Sequence, residues 1–155
     1  MLQRIFLALL LVAAPAFAAG TVTETRATLY KYTDAGATRV GETVTLSWTA
    51  DASAATVPNT SVVLRGYVAK AITNPGSTAP TDNYDIAFGD PADTALDALA
   101  NALGDRDTSN TEQVYPTVSG ATSPVYVNGT YLFKLTNNSV NSATGVVVLY
   151  LLDQR

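Results

Sequence analysis

Residues 42–49 alternate without a break, with Val44, Leu46 and Trp48 on one side and Thr43, Thr45, Ser47 and Thr49 on the other. A period of two belongs to an extended strand with one face buried and one face solvated. The same pattern returns in Val62, Leu64, Gly66 and Val68 against Val63, Arg65 and Tyr67. It returns again in Tyr84, Ile86 and Phe88 against Asp85 and Ala87, and in Tyr131, Phe133 and Leu135 against Leu132 and Lys134. A chain that repeats this period so often must stack two half-buried sheets. The expectation is therefore an all-β antiparallel β-sandwich.

Other stretches fit around those runs. Residues 22–32 are rich in Thr and Tyr and read as a strand, closed by a turn at Thr33-Asp34-Ala35-Gly36. Asn128-Gly129 is a hairpin signal between two further strands. Residues 145–152 are apolar almost throughout, which predicts a strand buried on both faces, central in a sheet or covered by a neighbouring subunit. One short helix is expected over residues 91–103. Asp90 suits its N-cap, Pro91 its first turn and Gly104 its stop, and Leu96, Leu99, Ala100 and Leu103 form one apolar stripe. Trp48 shares its face with apolar neighbours and is expected in the core.

The connection over residues 72–88 has the most distinctive local chemistry. Pro75-Gly76 reads as a tight turn, Pro80 restricts the residue before it to extended geometry, and Asp82-Asn83 can bond back to its own backbone. Those residues build shape and offer no reactive centre. The candidate interaction residues are Asn74, Pro75, Gly76, Pro80, Asp82, Asn83 and Tyr84 on this loop, with Val147 and Leu149 on the last strand, read as an edge open to a neighbour.

Composition narrows the chemistry further. The 155 residues contain no Cys and no His, which removes disulfides, thiolate nucleophiles, zinc–thiolate sites and the usual general base near neutral pH. The formal charge of −4 and the lack of a Lys/Arg cluster argue against nucleic acid as a partner. Residues 1–18 carry Arg4, a short apolar run and Ala16-Phe17-Ala18, the pattern of a signal peptide cut after Ala18, leaving one domain over 19–155. Asp105-x-Asp107-x-Ser109 begins like a calcium loop, but Asn110 and Pro116 stand where such a loop needs Gly and Glu. Caps and turns explain those acids better, and no metal, cofactor or small-molecule substrate is expected. Eight tyrosines could line a carbohydrate-binding face, although packing within strands accounts for most of them.

The segments A-I-T-N-P-G-S-T-A-P-T-D-N-Y-D-I, residues 71–86, and D-R-D-T-S-N-T-E, residues 105–112, resemble a family of small structural proteins encoded by tailed bacteriophages. Those proteins commonly carry T-D-P-G-x-T-A-P-T-D-N-Y-D followed by N-R-D-T-x-x-T-E. The resemblance covers residues 73–85 and 106–112 specifically, and is weak over 62–72 and the last strand. It implies a virion-associated protein, decorating the head or joined to the tail, with other virion proteins or copies of itself as partners. It transfers no catalytic residues. The alternative reading is an exported bacterial module, either a surface-filament subunit or a carbohydrate-binding domain.

Overall fold

One strand belongs to both halves of the molecule. The computed structural model describes residues 19–34 and 37–152. In chain order the strands are β1 (Thr21–Asp34), β2 (Ala37–Thr49), β3 (Thr60–Pro75), β4 (Asp85–Gly89), β5 (Glu112–Val114), β6 (Thr117–Val118), β7 (Ala121–Thr122), β8 (Val125–Thr136) and β9 (Thr144–Leu152). The first part of β3 pairs with β8, from Thr60 opposite Phe133 to Val68 opposite Val125. Its second part pairs with β9, from Tyr67 opposite Leu152 to Pro75 opposite Gly145. The changeover carries a register shift between Val68 and Lys70, and Gly66 just before it has φ of 113°, which disfavours any side chain.

The main antiparallel sheet runs β1-β2-β9-β3-β8-β4, with β5 added to β3, and β6 and β7 form a separate small hairpin. The sheet rolls on itself as a sandwich. Val44, Leu46 and Trp48 from β2 and Val147, Leu149 and Leu151 from β9 share one core with Ile86 and Phe88 from β4 and Phe133 from β8. Trp48 meets Tyr84 with ring centroids 5.8 Å apart, and Phe88 meets Phe133 at 5.7 Å, both tilted as aromatic quadrupoles prefer. Gly145 lies beneath the Trp48 ring, where a side chain would collide with it. The period-two runs thus do what their spacing demands.

The last strand is central, between β2 and β3, but it is fully buried on one face only. Gly145, Val147, Leu149 and Leu151 face the core, while Val146, Val148 and Tyr150 are half-buried on the outer face. An apolar run therefore marked an interior strand rather than two covered faces. The leader read over residues 1–18, and the turn at Ala35 and Gly36, lie outside the described residues.

The helix expected over 91–103 does not form, and the described residues contain no helix. A string of turns replaces it, because side-chain carboxylates capture the backbone N–H groups that a helix would need. The Asp97 carboxylate accepts from the N–H groups of Phe88 at 2.9 Å, Leu99 at 3.2 Å and Asn101 at 2.7 Å. Asp90 and Asp93 accept from Ala92 and Ala95 two residues on. Ala100 and Asn101 then take positive φ values of 52° and 60°, which ends any helical run. Of the four stripe residues, Leu99 and Leu103 still reach the core, while Leu96 and Ala100 are exposed.

Two outcomes follow for stability. Trp48→Ala should cost about 3–5 kcal/mol in chemical denaturation, and the native tryptophan emission should be blue-shifted. Asp97→Ala should cost about 2 kcal/mol or more, since a charged acceptor of three N–H groups is lost. Asp93→Ala, which frees a single exposed N–H, should cost less than about 1 kcal/mol.

Candidate functional site

The two signature stretches fold against each other as one bracket. The N–H of Asn83 donates to the Arg106 carbonyl at 3.0 Å, and the N–H of Arg106 donates to the Tyr84 carbonyl at 2.8 Å. The N–H of Asp105 donates to the Asp85 carboxylate at 2.8 Å, and the Thr108 hydroxyl donates to the Pro80 carbonyl at 2.6 Å. Arg106 folds back on the Gly104 carbonyl and pairs with Glu112 at 3.3 Å. Glu112 also accepts the N–H of Asp107 at 2.9 Å. Asp107 accepts from Asn110 and from the N–H of Ser109, and these bonds hold its carboxyl below the ordinary range. Asp51 is lowered in the same way by Ser53 and Ala54. The second carboxylate of the calcium-like pattern, Asp107, is thus engaged by its own loop.

The rest of the 72–88 connection is tied to the end of the chain. The N–H of Gly76 donates to the Thr144 carbonyl at 2.7 Å, and a side chain at Gly76 would strike Thr144. Thr81 binds Asn138 and Ser139, and Asn138 in turn donates to the Ala55 carbonyl at 2.7 Å. Of the candidate residues, Asn74, Asp82 and Asn83 are exposed, Pro75 and Gly76 are half-buried and Pro80 is buried. Tyr84, Val147 and Leu149 are wholly buried in the core, so none of these three presents a surface to a partner. The pleat turns Val147 and Leu149 to the core side of a strand with no open edge, because β2 and β3 occupy both of its sides.

The edges of the main sheet differ from each other. At β4 the outer edge is covered: the N–H of Ile86 donates to the Leu103 carbonyl at 3.0 Å, and the N–H of Ala98 donates to the Phe88 carbonyl at 2.8 Å. At the other end, β1 pairs only with β2 among the described residues. Residues 23–31 of β1 are exposed, on both strand faces. Pairing of β2 with β9 begins at Glu42 opposite Leu151, and among the described residues the remainder of the β1–β2 hairpin pairs only with itself, as a two-stranded ribbon. Leu29, Tyr30 and Val40 are exposed along it.

Beside the ribbon, Arg26 ties β1 to the body. Its guanidinium pairs with Glu24 at 2.6 Å and Glu42 at 2.8 Å and donates to the Val63 carbonyl on β3. Farther round, Tyr67 and Tyr126 stand opposite each other on the outer face with rings 5.4 Å apart, and Leu152 lies opposite Tyr67 on its other side. Lys70 caps the nearby Tyr150 ring at 4.5 Å.

Sequence reasoning passed over Arg26, Asp97 and the β1 edge. A signal for the edge existed: residues 21–28 are polar or small at nearly every position, a pattern with no buried face. Among the described residues no group of three acidic side chains converges as metal ligands. Compared with known proteins, the chain matches no family model, no curated protein and no solved structure.

The bracket generates one outcome in solution. The Tyr84 hydroxyl is buried without a hydrogen-bond partner among the described residues. Burial pushes it up to about 12 from its ordinary 10.0, with the Glu112 charge adding to the rise and Arg106 opposing it. Stability that depends on the neutral phenol is complete below the unfolded value and is lost as pH rises through the folded one. Tyr84→Phe should therefore be neutral or stabilising by up to about 1 kcal/mol at pH 7. Its advantage over wild type should widen between pH 10 and 12, read as paired melting curves.

Proposed function

We propose that this chain is a non-enzymatic structural component of a tailed-phage virion, attached to the head or the tail, acting by protein–protein assembly. The observation that carries this reading is the contrast between the sheet's two ends. One edge is covered by its own loop, while the other, among the described residues, is long, exposed and extended into a ribbon that carries the exposed Leu29 and Val40. An unpaired edge is a template for another chain, and a two-stranded ribbon is marginal until something packs on it. The virion assignment draws on the resemblance over residues 73–85 and 106–112. The bracket gives those residues an architectural job, which is how a signature without catalytic groups would be used. The partners are other virion proteins or copies of this chain, and an acidic surface does not favour nucleic acid.

The test compares wild type with Leu29→Lys/Val40→Lys. Wild type should co-purify with virions and bury roughly 1,200 Å² or more in its contact. The ribbon variant should keep its melting temperature within a few degrees and fall about tenfold or more in particle incorporation. Wild type absent from particles would end this reading.

A second reading, an exported carbohydrate-binding module, has one observation in its favour: the paired, exposed rings of Tyr67 and Tyr126. Under that reading, polysaccharide retention should drop in Tyr67→Ala/Tyr126→Ala and be unaffected by the ribbon variant.

A further inference from the structure

We infer that the β1 edge pairs with the β1 edge of a second copy, antiparallel about a two-fold axis at Thr25. This deepens the assembly reading above and rests on it. Two features together select that axis. The first is geometric. The β1–β2 ladder is regular from Thr21 to Thr28, and its register shifts between Thr28 and Tyr30, where the strand bends. The ladder free of that bulge holds two seven-residue windows, 21–27 centred on Glu24 and 22–28 centred on Thr25, so geometry narrows the axis to those two residues.

The second feature is charge. In a continuous antiparallel sheet with a two-fold normal to it, one residue stands opposite its own copy. With Thr25 at the axis, Glu24 stands opposite Arg26 of the second copy, and the reverse pair forms symmetrically. Opposed residues share a face with Cβ atoms about 5 Å apart, where unlike charges attract and like charges repel. Moving the axis to Glu24 or to Arg26 would set like charges directly against each other. Moving it to Thr23 or Ala27 would leave both charges facing neutral residues. Only the Thr25 register is self-complementary.

The rest of the structure leaves this edge ready. Glu24 and Arg26 are already fixed in one orientation by their own contact and by Glu42 and Val63. Holding those side chains in place lowers the entropy that pairing would otherwise cost. Residues 23–28 are exposed and pair with no strand but β2 among the described residues, which leaves their outer side to a second strand. The far edge of the sheet, covered by residues 97–106, cannot accept a strand in the same way. The association therefore closes as a dimer and does not run on as a fibre.

The chain contains no cysteine, so an introduced one reports its own neighbour. Thr25→Cys should form a disulfide-linked dimer on mild oxidation, since opposed residues lie about 4.5–5.5 Å apart at Cα, within disulfide range. Thr23→Cys should not, because its copy would sit roughly 13 Å away along the strands. By sedimentation, wild type should be dimeric, and Glu24→Arg should weaken the dimer about tenfold or more. Glu24→Arg/Arg26→Glu should recover it. Melting temperature is read on each variant, and the cysteine pair decides the matter if the charge exchange unsettles the fold. Equal crosslinking of the two cysteine variants, or a wild type monomeric at high concentration, overturns the inference. If wild type then still enters virions, assembly stands and uses another surface. If the Thr25→Cys dimer forms but wild type stays out of virions, the paired edge stands and the virion role falls.

Discussion

The changeover in β3 is the constraint on which the rest of the molecule depends. A single strand hydrogen-bonds to β8 in its first half and to β9 in its second. β3 gives one side to each neighbour, and Gly66 with the register shift near Val68 bends it at the changeover. The bend brings β2 and β9 over β4 and β8, so that Trp48 reaches Tyr84 and a single core closes between them. Among the described residues, the hairpin of β1 and β2 pairs with β9 only from Glu42 onward.

The signature stretches serve the same closure. Residues around Tyr84 and Arg106 pair with each other, Gly76 pins to Thr144, and Thr81 pins to residues 138 and 139. These are long-range bonds among loops, and beside them the bonds of Ile86 to Leu103 and of Ala98 to Phe88 cover the β4 edge that would otherwise invite another strand. Local chemistry such as Pro75-Gly76 therefore orders an interior joint. The sheet edge left exposed among the described residues lies at the opposite end, on residues whose sequence attracts little notice.

Much of the fold was legible from periodicity. Alternation at Val44, Leu46 and Trp48, at Ile86 and Phe88, and at Phe133 assigned each its face correctly, because a pleated strand turns successive side chains to opposite sides whatever its neighbours are. The helix over 91–103 was misread for an equally physical reason. A 3.6-residue stripe and good end signals measure what a segment can do alone, whereas Asp97 binds the N–H of Phe88 on β4, a partner no local window contains. Val147 and Leu149 were rightly marked as too apolar for an exposed strand, yet the partner that covers them is the chain's own core.

The sequence by itself determined the class of structure and the limits on its chemistry. Strand periodicity, the absence of Cys and His, and the turn residues are properties of the covalent chain and need no neighbour to express them. Only the tertiary structure decided which edge stays open, which loops become joints and which charges meet across space. Those outcomes depend on non-local pairing, such as Arg26 with Glu42 and Val63, or β3 with both β8 and β9. Strand order is not written in any local pattern, because each strand offers two equivalent sides and the folded core chooses which one is filled.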